Sequence, residues 1–459
     1  MISAAGVCAP AAGAGWSGID TVMISAFHNA FQSDPSRKVM QNALSSNDLN
    51  GLVQNRMHHG KVDHYFDVRL DIQSITDQKK SGRCWLFTTL NILRYPVMQT
   101  YRLKEFEFSE NYCFFWDQLE KANLFLEGII DTRRLDMDDR KVEWLFKNPV
   151  SDGGLWNLAV AVIRKYGLIP KEAMPESRHS ENTSVMRRFL KRKLRQQGLT
   201  LRRMHASGAS AGSLQEARIA MLQEIYIMLA LHLGEPPRLF SWRAMDTDKR
   251  MIEFNDYTPL QFCKRMVQAD LDNYLMFMHD PTRPFYGHYA IEMDRNVAET
   301  PDYHYVNLPL DSLKAMAKAS LLAGEGLYFA CDVNKQLNRD TGILSVHNYE
   351  YEGIYGVSLS MDKKDRILSF DSGSTHAMAL MGMDTTDTGR PVKWLLENSW
   401  GEEKGRGGFL IMTDEWFDAY GFRLVVRKDF VSPAIVSMFS EKPEILKPWD
   451  RMALPMMDE

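Results

Sequence analysis

Apolar positions change their period along this chain. Up to about residue 170 they recur mostly at helical spacing, and after residue 340 they alternate. Residues 20–60 read as a polar, partly helical arm broken at Asp34-Pro35-Ser36. In 61–77 the loose alternation of Val68, Leu70 and Ile72 predicts a short strand before a turn. Beyond Ser81-Gly82, the residues Leu86, Leu90, Leu93 and Val97 share one face and predict a helix that Pro96 ends. Residues 109–170 read as helical, with a turn at Ser151-Asp152-Gly153-Gly154 and a stop at Ile169-Pro170. Residues 181–335 continue largely helical, interrupted at Pro236-Pro237 and by a Pro-rich loop at 281–284. Short strands are then predicted at Ile343–Ser360, Arg366–Phe370, Ala377–Met383, Val392–Glu397, Phe409–Met412 and Leu424–Arg427. Helices first and antiparallel strands later imply an α+β protein.

Composition narrows the class. The chain has 459 residues, a net charge of −4, 45% hydrophobic and 25% charged residues, values that exclude disorder and a wholly basic nucleic-acid binder. Five cysteines (Cys8, Cys84, Cys113, Cys263, Cys331), odd in number and without a CxxC, suit a reducing compartment rather than a disulfide framework. The Ala/Gly-rich start carries no basic residue before Arg37, so no signal peptide is expected. With no uniformly apolar window of membrane-spanning length, no membrane partner is expected and a cytoplasmic location is.

The chemistry gathers at Gln78-Lys79-Lys80-Ser81-Gly82-Arg83-Cys84-Trp85. Cys84 opens the predicted helix, where backbone N–H groups and the helix dipole favour a thiolate, and Arg83 is expected to add to that effect. A thiolate attacking an amide creates an oxyanion, for which the Cys84 N–H and the Gln78 side chain are candidate donors. Far along the chain, His376 stands where a turn enters a strand, and Asn398 at the end of the next one. A Cys–His pair needs its imidazole held in one tautomer, and an Asn oxygen accepts the ring N–H; Trp400 is placed to cover that bond. Cys113, Cys263 and Cys331 lack the upstream Gln and the Gly turn, and read as buried structural thiols.

These residues, together with Glu105-Phe106-Glu107-Phe108-Ser109, Phe114-Phe115-Trp116-Asp117, Gly234-Glu235-Pro236-Pro237, Asp414-Glu415-Trp416-Phe417 and Pro448-Trp449-Asp450, resemble the bleomycin hydrolase / aminopeptidase C branch of the papain-like cysteine peptidases from about residue 30 to 454. The resemblance implies a two-lobed papain-like fold, one lobe helical and one β-barrel-like. It implies a cysteine aminopeptidase forming a thioester acyl-enzyme on Cys84, with His376 as acid/base, Asn398 as orienter and Gln78 as oxyanion donor. Gly153 and Gly154, with Trp400, would contact substrate, and no cofactor or metal is implied. Substrates would be peptides and small amides such as bleomycin.

The Cys84–His376 separation is about twice the ~130–150 residues of a minimal domain, and the family likeness makes the excess an oligomerisation region of a homohexamer. The expected division is a tail and arm (1–60), a helical lobe with the nucleophile (61–170), a helical insertion (171–335), a β-rich lobe with His and Asn (336–440) and a C-terminal arm entering the cleft (441–459). In such enzymes the arm blocks one end of the cleft. Here Arg451 replaces the usual Pro, and Pro455-Met456-Met457-Asp458-Glu459 runs past the usual end, so trimming or a deeper block is expected.

Two other features compete for attention. His58, His59 and His64 have no metal-ligand spacing beside them and read as solvated. Residues 182–215 hold no acid but carry Arg187, Arg188, Lys191, Arg192, Lys193, Arg195, Arg202 and Arg203 around an apolar stripe of Met186, Leu190 and Leu194. That basic helix is expected to be a channel wall, or a weak non-specific nucleic-acid contact over 187–203, the basis of a second reading as a nucleic-acid-binding or scaffolding protein.

Overall fold

The structure, a computed structural model, describes residues 17–58, 60–72 and 74–453. The chain divides into two units, residues 1–57 with 349–359, and the remainder. The smaller unit holds helices Thr21–Gln32, Ser36–Ser46, Leu49–Val53 and Tyr351–Tyr355. Asp20 and Asp48 cap the first and third through their carboxylates. The expected break is made by Asp34, which accepts from the Ser36 N–H at 3.0 Å. Glu350 N–H donates to the Val53 carbonyl at 2.9 Å and ties the returning segment to the arm.

In the larger unit the helix Cys84–Tyr101 buries Leu86, Leu90, Leu93 and Val97, as their spacing predicts. It does not stop at Pro96. The helix runs on for a turn and ends where Arg102 adopts a left-handed conformation (φ 52°). A proline removes one N–H donor, and burial of Val97 and Met98 beyond it holds the last turn in place. Helices Glu110–Asp131, Trp156–Tyr166, Ser184–Ala206 and Ala211–Leu233 follow. Met186, Leu190 and Leu194 are buried along the third of these, as their spacing predicts.

The sheet has twelve strands and starts earlier than the alternation suggests. Its path runs Glu444–Leu446, His288–Ile291, His304–Asn307, Tyr274–Met278, Gly421–Arg427, Leu327–Cys331, His376–Thr385, Pro391–Glu397, Phe409–Thr413, Ile343–Leu344, Leu337–Asn338, with Val68–Arg69 beside His376–Thr385. Four of these strands lie in the expected helical insertion, which also contains the hairpin Phe240–Met245/Met251–Tyr257. Tyr274–Met278, Leu327–Cys331 and their neighbours are buried almost throughout. A strand covered on both faces shows a continuous apolar run, which reads like a buried helix. Conversely, Arg366–Phe370 and most of Ile343–Ser360 are not strand. Lys363–Leu368, capped by Asp362, and Tyr351–Tyr355 are helical. Three pairings are parallel, and the remaining ones antiparallel.

Helix and sheet are locked together by a buried ion pair. Arg94, on the Cys84 helix, meets Glu397, the last residue of its strand, at 2.6 Å, and each side chain is at most 1% exposed. The Arg94 guanidinium also donates to the Ser74 carbonyl. Removing one partner of such a pair leaves an uncompensated buried charge. Glu397→Ala is therefore expected to destabilise the chain by about 3–5 kcal/mol, read as a lower denaturant midpoint at unchanged slope; a shift below about 1 kcal/mol would place the pair in solvent.

Candidate active site

Cys84 is the first residue of its helix, and Arg83 takes the cap position ahead of it. The loop before it is pinned to the end of the sheet: Gln78 N–H donates to the Ser399 carbonyl at 2.8 Å, and Ser399 Oγ donates to Gln78 Oε1 at 2.6 Å. That second bond decides which way the Gln78 amide faces, leaving its Nε2 group to donate to the Ser81 carbonyl at 2.7 Å. One Nε2 proton is used there and a second remains, on a residue that lines a common hollow with Cys84. Ser399, recognised in the sequence only as part of a motif, is thus the residue that orients Gln78.

The hairpin His376–Thr385/Pro391–Glu397 brings His376 and Asn398 to one end. Ala379 pairs with Glu397, so Asn398 emerges beside the start of the His376 strand. The ring nitrogen Nε2 of His376 lies 2.8 Å from Asn398 Oδ1, and both residues are buried. The Trp400 ring leans over the imidazole at 4.9 Å, tilted 34°. Cys84 and His376 together line two hollows: a narrow one of about 50 Å³, and a broad one of about 650 Å³ that also includes Gln78 and Trp400.

Burial governs the protonation of this pair. It pushes the Cys84 thiol up to about 11, against the pull of backbone N–H groups of Ala377, Trp85 and Cys84 itself. It pushes His376 down to about 4, opposed by the Asn398 hydrogen bond. The helix start supplies such N–H groups, and burial opposes them. Arg83, expected to add to the effect, is engaged elsewhere. The guanidinium is fully buried, forked onto Glu176 at 3.0 and 2.8 Å, with Phe87 and Phe114 on either side. Opposite charges on Cys84 and His376 would each offset the cost of the other's burial.

Gly153 and Gly154 line the narrow hollow beside Cys84. A Cβ on Gly154 would lie 2.4 Å from the Trp85 ring; the glycine there lets the indole next to the nucleophile pack flat on the backbone. Trp85 Nε1 donates to the Asp152 carbonyl at 2.7 Å, and the Asp152 carboxylate accepts from the Gly82 N–H at 3.3 Å. Cys113 and Cys331 are buried and Cys263 half-buried, and all three thiols are pushed up by burial; Cys8 lies outside the described residues.

The basic helix is largely engaged within the chain. Arg187 pairs with Asp152 at 3.4 Å and lines both hollows, and Lys193 pairs with Glu224. Arg195 and Arg202 donate to main-chain carbonyls of Phe146, Lys147, Thr132 and Leu135. His58 is half-buried, 5.5 Å from the His347 ring, rather than solvated; His64 is exposed and His59 lies outside the described residues. Among the described residues no cluster of His, Cys, Asp or Glu has the makings of a metal site, and no helix is long and apolar enough to cross a membrane.

The peptidase C1-like family model matches residues 18–453 of this chain. The chain belongs to that family. It is 36% identical to aminopeptidase C of Streptococcus thermophilus over 92% of this chain and 95% of that one. With the bleomycin hydrolase of Homo sapiens it shares 36% identity over 95% and 98%. The crystal structure of PepW from Lactobacillus rhamnosis HN001 superposes with a TM-score of 0.93 at 35% identity, covering 95% of this chain and 99% of that one. Membership makes the chain a cysteine peptidase of α+β, papain-like fold.

The His376 ring should titrate alone in a Cys84→Ser variant, where no thiol shares its proton. Its NMR resonances are expected to hold the neutral form down to a midpoint near 4. A midpoint near 6.5, that of a solvated imidazole, would show that water reaches the ring.

Proposed function

We propose that this chain is a cysteine aminopeptidase in which Cys84, His376, Asn398 and Gln78 carry the reaction. The observation that carries the reading is the buried His376–Asn398 hydrogen bond in a cleft shared with Cys84. Asn398 Oδ1 holds the Nε2 proton, which leaves Nδ1 as the base facing the thiol. As Sγ attacks the substrate carbonyl, its proton passes to His376, and the oxyanion is received by the Cys84 N–H and the free Nε2–H of Gln78. The imidazolium then protonates the leaving amine, giving a thioester on Cys84. Water, deprotonated by the same ring, releases the acyl group and restores the thiol. Trp400 shields the His376–Asn398 bond from solvent and borders the broad hollow, where we place the leaving side of the substrate. Gly153 and Gly154 offer backbone on the narrow side.

Release of single residues requires the narrow side to be shut. The C-terminal segment lies close to it: Asp450 is forked onto Arg283 at 3.0 and 3.1 Å, Trp449 lies under Arg140 at 4.4 Å, and the Met452 carbonyl accepts from Arg423, a residue lining the narrow hollow. We read residues 448–453 as the anchored base of an arm that closes the cleft, with substrates being peptides with a free N-terminus and, as the relatives' name suggests, amides of the bleomycin kind. Leu454 to Glu459, including the Pro455–Glu459 tip on which trimming was expected, lie outside the described residues.

The helices around Cys84 and the sheet carrying His376 are read as the two lobes of the cleft. Self-association, as a hexamer, is supported by apolar side chains left exposed on helix Ala211–Leu233, namely Ile219, Ile227 and Leu231. A reducing, cytoplasmic setting is supported by the free thiols. The intrachain contacts of Arg187, Lys193, Arg195 and Arg202 add nothing in favour of nucleic-acid binding over 187–203.

Turnover of aminoacyl-coumarin substrates tests the assignment. Cys84→Ser should abolish it without loss of folding, and Gln78→Ala should cost about 2.7–4 kcal/mol of transition-state stabilisation. Asn398→Ala should be milder, since it disturbs orientation only. Full activity in Cys84→Ser would sink the proposal. Separately, deleting residues 448–459 should turn single-residue release into cleavage of an N-acetylated peptide; a truncated enzyme that still rejects the blocked peptide would remove the arm from the mechanism.

A further inference from the structure

Arg423 is an unusual residue to find in the middle of a sheet. It lies on strand Gly421–Arg427, is 3% exposed, and yet lines the narrow hollow beside Cys84. Among the described residues no carboxylate pairs with it. Its guanidinium lies over the Tyr303 ring at 5.8 Å, and one Nη donates to the Met452 carbonyl. Its Nε–H and the hydroxyl of Tyr328, both buried and both lining the hollow, have no hydrogen-bond partner among the described residues. A buried cation without an acid is costly unless its donors are used. Here the acceptor that uses one is main chain, and the segment supplying it is held on both sides. Met452 is 1% exposed, and its N–H donates to the Asp450 carboxylate at 2.9 Å, the same carboxylate that Arg283 grips.

We propose that Arg423 is the positioning residue that fixes the C-terminal segment at the mouth of the narrow hollow, and so sets the enzyme to release one residue at a time. The inference rests on the arm reading above. Asp450 and Arg283 fasten the segment to the surface of the sheet, whereas Arg423 is the contact that joins it to the lining of the cleft. The geometry explains why a guanidinium serves. One Nη holds the Met452 carbonyl, while the Nε–H stays buried within the sheet, so that the planar group is fixed in orientation. A neutral apolar residue there would leave the segment held at Asp450 and Trp449 but with no bond to the lining of the hollow.

The test is a double-mutant cycle of Arg423→Met against deletion of 448–459, read as the ratio of N-acetylated peptide cleavage to free-amine substrate turnover. In the full chain Arg423→Met should raise that ratio by about tenfold, the scale of losing one hydrogen bond to a charged group. It should act through a higher KM for the free-amine substrate, with kcat little changed. In the truncated chain the same substitution should leave the ratio unmoved, because the segment it positions is gone. Arg423→Lys, which keeps the charge but not the fork, should fall between the two, and it replaces Arg423→Met in the cycle if thermal melting shows that Met prevents folding. If deletion raises the ratio and the Arg423 variants do not, or if they raise it equally in the truncated chain, the positioning role is overturned while the arm reading stands. If deletion itself leaves the ratio unchanged, the arm reading has failed first.

Discussion

The ion pair between Arg94 and Glu397 fixes the relation on which the site depends. One partner sits on the helix that begins at Cys84, and the other is the residue before Asn398. In the proposed mechanism a nucleophile from one end of the chain and an orienter from the other must stay registered to within a hydrogen bond's length. Two desolvated charges serve that purpose because they tolerate little displacement: separating them without water leaves each uncompensated. The neighbouring bonds from Gln78 and its loop to Ser399 repeat the same link on the oxyanion side. Helix and sheet are thus joined at two points, one along the helix and one in the loop that leads into Cys84.

Burial then shapes the chemistry. The same exclusion of water that strengthens the His376–Asn398 bond also pushes thiol and imidazole toward their neutral forms. Proton transfer from thiol to imidazole would set two opposite charges side by side, each offsetting the cost of the other's burial. The Asn398 hydrogen bond favours the charged ring, and the Trp400 ring lies 4.9 Å from the imidazole. Arg83, by contrast, is spent on Glu176 and on packing against two phenylalanines, and contributes by holding the loop ahead of Cys84.

Access is asymmetric. The broad hollow on the Trp400 side contrasts with the narrow one bordered by Gly154, Tyr328 and Arg423, at whose edge the C-terminal segment is tied down. Its fastening by Arg283, Arg140 and Arg423 spreads over three separate elements, so that no single loop movement releases it. In the proposed function this difference between the two sides, more than any special feature of the nucleophile, limits the enzyme to single-residue release.

Residue types and short-range spacing were legible in the sequence. The helix face of Leu86, Leu90, Leu93 and Val97, the buried stripe of Met186, Leu190 and Leu194, and the Cys, His, Asn and Gln of the site follow from local pattern and from ordered motifs, because each is set by neighbours within a few turns or by a chemistry with few solutions. Strands such as Tyr274–Met278 and Leu327–Cys331 were not, since covering both faces erases the alternation that announces a strand. Charge partners were also hidden. Nothing local tells whether Arg83 faces a thiol or Glu176, whether Arg187 points to solvent or Asp152, or that Arg423 meets Met452. Desolvation pushes Cys84 up and His376 down, and desolvation belongs to the packed tertiary structure, where residues hundreds of positions apart exclude the water that a sequence cannot show to be missing.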